Sequence, residues 1–200
     1  MSPFAVAVLA GSWCALPWAA RRGLAELGES PRCYGADYGI VALGAVASLA
    51  CFLRGDPAGA ALCAGSGICV VTDIRHGVVL DSVLLVSTLA IGFVAVESKH
   101  APAAALGCAA ALCAMGLVLA LSRGAMGLGD LKFAGVIGLA LGVDRGLLAL
   151  AIAFAAGGLV AAVLMAAGRV RRGQALPFAP FLAIGATAMA CGLWAFARVG

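Results

Sequence analysis

Charge is scarce in this chain. Lys, Arg, Asp and Glu together make up 11% of its 200 residues, hydrophobic side chains make up 64%, and mean hydropathy is +1.11. Soluble domains carry roughly a quarter charged residues, so an ordinary water-soluble domain is excluded and a polytopic membrane protein is implied. The net charge of +4 is modest and spread over loops, and nothing in it reads as a nucleic-acid footprint. None of the eight cysteines stands in a C-x-x-C pair and seven lie inside apolar runs, so neither a disulfide framework nor a zinc site is suggested, and they read as packing residues. The first apolar stretch, residues 3–20, lacks a basic leader and ends at Arg21-Arg22; it reads as a retained helix rather than a cleaved signal. Barrel-like alternation is missing too, and helix is the remaining way to satisfy backbone groups in hydrocarbon.

What is present is a series of apolar segments, at 3–20, 37–53, 57–72, 78–96, 101–121, 131–143, 146–168 and 176–197. They predict an all-α transmembrane bundle of about eight helices in one membrane domain. Residues 1–56 would supply two helices and a cytoplasmic loop, and 57–200 a six-helix core. The sixth segment is short, about 20 Å at ~1.5 Å per residue, and is still expected to span. With all eight crossing, one face collects Arg21, Arg22, Arg32, Arg75, Arg123, Lys132, Arg169, Arg171 and Arg172. The other holds Arg54, Lys99, Arg145 and Arg198, so the richer face is assigned to the cytoplasm.

Acids are few enough to sort by topology. Asp73 closes the third segment and Asp130 opens the sixth; two crossings lie between them, so both belong to one face. Asp56, Glu97 and Asp144 fall on the other. Glu26 and Glu29 sit in a stretch, 21–31, read as a solvated polar loop, while Asp37 and Asp81 open helices and suit capping. Asp73 stands at a helix C-terminus, where the dipole disfavours an anion, and an acid at such a place is a functional-site hypothesis. Two close carboxylates in a low-dielectric site split into a base and an acid, the machinery of aspartic proteolysis. Gly127 and Gly129, lacking Cβ atoms, would let an extended peptide approach. The same two acids would also suit an ion- or proton-coupled small transporter.

Three stretches, Thr72-Asp73-Ile74-Arg75-His76-Gly77-Val78-Val79-Leu80-Asp81-Ser82, Met126-Gly127-Leu128-Gly129-Asp130-Leu131-Lys132 and Leu176-Pro177-Phe178-Ala179-Pro180-Phe181, resemble in order the signatures of the type IV prepilin peptidases, membrane aspartic proteases of the Gly-x-Gly-Asp kind. The resemblance implies Asp73 and Asp130 as the catalytic pair, with Asp81 matching a further acid and Pro177, Phe178 and Pro180 a supporting motif. Lys132 and Arg75 would stabilise the pair or hold the precursor. It implies pilin or pseudopilin precursors as partners, cut beside a leader glycine at the inner face of the cell membrane, with no cofactor. Leu80 stands where many members have proline. Longer members carry paired C-x-x-C motifs and a zinc site in the loop that here holds Ser30-Pro31-Arg32-Cys33-Tyr34-Gly35. Cys33 stands alone and tetrahedral zinc needs four ligands, so N-methyltransferase activity with S-adenosylmethionine is not expected and the chain resembles a peptidase-only form.

Overall fold

The computed structural model describes residues 3–26, 35–122, 126–169 and 177–192. The expectations for Glu29, for the stretch from Ser30 to Tyr34 with its Cys33, for Arg123, Arg171, Arg172, Leu176 and Arg198, and for residues 193–197 of the last segment lie outside the described residues.

Seven helices, and no strand, make up the described residues: α1 (Pro3–Glu26), α2 (Gly35–Leu53), α3 (Pro57–His76), α4 (Asp81–Glu97), α5 (Ala101–Leu121), α6 (Leu128–Ala166) and α7 (Ala179–Ala190). The fold is an all-α bundle. α3, α5 and α6 are long and apolar enough to cross a membrane. Leucines stand outward on several helices, with Leu43 72% exposed, Leu53 76% and Leu121 73%. An apolar exterior of that kind is unfavourable against water and natural against lipid, so this is a membrane protein.

The expected segments 131–143 and 146–168 are the two helical limbs of α6, which breaks between them at Gly142, where φ is 75° and ψ −172°. In a straight helix residues 138 and 146 would stand about 12 Å apart, yet a Cβ on Gly146 would lie 3.1 Å from the Cα of Gly138. The chain therefore turns back on itself at a corner that a positive φ makes natural for glycine. One expectation is corrected: residues 21–26 continue α1 instead of forming a polar loop. Arg22 pairs with Glu26 one turn later at 3.5 Å and lies over the Trp18 ring, 5.4 Å from its centroid, which holds the last turn helical.

α3 is the axis of the bundle, packed against α1, α2, α4, α6 and α7. Its start is capped by Asp56, whose Oδ1 accepts from the Gly59 amide at 2.9 Å, with Pro57 where a missing N–H costs nothing. Its end is closed by Gly77, left-handed at φ 65°, whose amide donates to the Asp73 carbonyl at 2.9 Å. α7 runs antiparallel beside it, with Ala179 against Asp73 and Ala190 against Gly59. Behind α7 lies the second limb of α6, which approaches so closely that a Cβ on Gly185 would collide with the Ala149 carbonyl. Where helices meet this closely, small residues permit the backbone contact.

Candidate active site

Asp73 is buried in the last turn of α3, 7% exposed, and its Oδ2 accepts a hydrogen bond from the Ala179 amide at 3.0 Å. That amide is the first of α7, whose N-cap is Phe178 and whose next residue, Pro180, has no N–H to offer. The carboxylate at the C-terminus of one helix is thus the anion at the N-terminus of another, and the positive end of the α7 dipole offsets the unfavourable end of α3. Phe178 is locked between Phe154 and Phe181, with centroids 5.2 Å and 6.0 Å away. The Pro-Phe-Ala-Pro-Phe stretch therefore builds the amide that orients Asp73.

Asp130, 8% exposed, occupies the third position of α6, and its Oδ2 accepts from the Gly127 amide at 3.4 Å, half of a capping box. Asp73 and Asp130 line one cavity of about 470 Å³. Its remaining walls come from the α3–α4 connection, from the start of α6, and from Gly23 and Glu26 of α1. Asp130 lies within electrostatic reach of the Asp73 charge.

The two glycines differ. A Cβ on Gly129 would lie 2.9 Å from the Val79 Cβ, so this glycine lets α6 pack onto the α3–α4 connection. Gly127, at φ −84°, is exposed, faces the cavity, and has room for a Cβ. It is the one of the pair whose bare backbone is open to an approaching chain.

Asp81 also lines the cavity, and both its oxygens accept from Lys132 Nζ, at 2.8 and 2.7 Å, tying α4 to α6. Arg75 is forked onto Asp37, with Nε and Nη2 each 3.1 Å from Oδ1, so Asp37 serves as a buried ion-pair partner joining α2 to α3. Pro177 precedes α7 and is exposed. Lys132, Arg75, Pro177, Phe178 and Pro180 do not form the cavity wall among the described residues; they hold what does.

Sequence reasoning missed Glu26 and Gly23, because the drop in hydropathy at Arg21 was read as the end of the helix. The spacing of Arg22 and Glu26 is the signal that could have extended it. It also missed Val79 as the contact that makes Gly129 necessary.

No curated protein and no solved structure matches this chain. The model of the type IV leader peptidase family matches residues 60–162, just over half of the chain and inclusive of both cavity aspartates. On that match, the chain belongs to the type IV leader peptidase family.

Proposed function

We propose that this protein is a membrane aspartic endopeptidase that removes the leader from type IV prepilin-like or pseudopilin precursors at the cytoplasmic face of the cell membrane. The observation that carries the reading is the meeting of Asp73 and Asp130, both within the family match but on different helices, in one cavity. Each spends one oxygen on a backbone amide, which fixes its orientation. The ionised member takes a proton from water as the water oxygen attacks the scissile carbonyl. The protonated member donates its hydrogen to the carbonyl oxygen, and the resulting gem-diol collapses with C–N cleavage as a proton passes to the departing amine. No covalent enzyme intermediate forms.

The exposed backbone at Gly127 suits an extended peptide, and a basic leader could exchange with Arg22 and Lys132 for the acids Glu26 and Asp81 in the same cavity. The cytoplasmic assignment rests on the uneven distribution of Lys and Arg. Nothing in the fold or the family favours a transporter. The test uses purified protein in proteoliposomes with a synthetic precursor. Asp73→Asn and Asp130→Asn each should lose cleavage by ~10²–10⁴-fold while inserting normally; full processing by either overturns the assignment.

A further inference from the structure

The end of the bundle away from the aspartates holds a second cluster. Cys51 at the end of α2, Cys63 near the start of α3 and Cys191 just past α7 bring their sulfurs together, all within 4.8 Å of one another. Cys51 Sγ stands 3.9 Å from Cys63 Sγ and 3.8 Å from Cys191 Sγ. Along α3, Cys63 and Asp73 are ten residues apart, about 15 Å at the helical rise, so this is not an extension of the cavity. Packing alone asks only that each thiol fill space. It does not ask three helices to aim their sulfurs at one point.

The spacing fits coordination. Three thiolates around one ion at bonds of ~2.3 Å stand ~4 Å from one another in a trigonal plane. No fourth ligand from His, Asp, Glu or Cys joins the group among the described residues. Asp56, whose charge acts on Cys51, caps α3 through Oδ1 on the Gly59 amide and is not one of the group. Tetrahedral zinc wants four ligands, whereas soft thiolates in a three-coordinate set suit Cu(I). Arg54 donates Nη1 to the Cys191 carbonyl and acts on Cys51 as a cation, against the opposing charge of Asp56. Cys51 and Cys63 are fully buried, and Cys191 is half-buried at the bundle end, which gives an entry side.

We infer that Cys51, Cys63 and Cys191 form a three-thiolate binding site for Cu(I), separate from the peptidase cavity. Binding converts three thiols and one Cu(I) into a tris-thiolate complex of net charge −2, with three protons released to solvent and no change in oxidation state. Arg54 offsets part of that charge.

The test is a Cu(I) titration of the full chain in detergent under anaerobic, reducing conditions against a chromophoric Cu(I) chelator, with X-ray absorption on the loaded protein. The expected result is one tightly held Cu(I) per chain with three sulfur neighbours. Cys191→Ala, chosen because this residue sits at the rim rather than in the core, should weaken binding by at least ~100-fold. Substituting the exposed Cys14 and Cys113 should leave it unchanged. A parallel Zn(II) titration should give weaker retention. Failure to hold Cu(I), equal retention by Cys191→Ala, loss on substitution of Cys14 and Cys113, or preference for Zn(II) with four ligands would overturn the site. The absorption spectrum of the unaltered protein reads sulfur number without relying on any variant's folding.

Discussion

The two ends of α3 are built from the same backbone and do opposite things with it. At its start, Asp56 caps its own helix and three thiols converge from α2, α3 and α7. At its end, Asp73 lies where its own helix repels it and takes its partner from the first amide of α7. A residue satisfied within its own helix serves the fold. One satisfied only by a helix 106 positions later marks a place the fold was shaped to provide. α7 closes both ends, so a single short helix sets the geometry of the aspartate and thiol clusters together.

That shared dependence can be broken in the middle. Gly185→Val would drive a side chain into the Ala149 carbonyl and push α7 off α6. Overpacking of this kind costs about 1–3 kcal/mol or more, and we expect a lower Tm in detergent with precursor cleavage and Cu(I) retention failing together. Retention of one without the other would show that α7 does not couple the two ends.

Gly129→Ala perturbs only the aspartate end. Its Cβ would press on Val79, displacing Asp130 one residue away, and cleavage should fall about tenfold, equivalent to ~1.4 kcal/mol. Val79→Ala should restore much of it, measured as kcat/KM with the same precursor. Gly127→Ala meets no such contact, so a loss there, appearing in KM rather than in stability, would mark substrate approach.

Lys132→Ala sits lower on the scale. The Lys132–Asp81 pair is 53% and 69% exposed at its side chains, and exposed pairs contribute about 0–1 kcal/mol. Unfolding should move little, and a large fall in cleavage would give Lys132 a role in the reaction itself. The smallest effect is expected from Cys33→Ser, which should leave cleavage unchanged because a lone cysteine cannot supply the family's four-ligand loop.

Much of this was legible because hydropathy is a local quantity. The fifth apolar segment coincides with Ala101–Leu121, and the third begins where α3 does, at Pro57, though α3 runs on past residue 72 to His76. The break between 131–143 and 146–168 was legible, but not that Gly142 carries it, since glycine is common in membrane helices and only its backbone angle separates a break from a contact. The end of α1 was misread because Arg and Glu lower hydropathy without breaking a helix. Topological counting could put Asp73 and Asp130 on one face, but not the Ala179 amide on Asp73 or Cys191 on Cys51, because packing between distant helices leaves no periodic trace in the chain.

The central claim is that Asp73 and Asp130 act as one chemical unit, and a double-mutant cycle on cleavage tests it most directly. In reconstituted membranes, kcat for Asp73→Asn, Asp130→Asn and the pair together should fall to the same floor, since removing either member disables the whole. Losses that multiply in the double variant, or near-normal turnover in either single one, would contradict it.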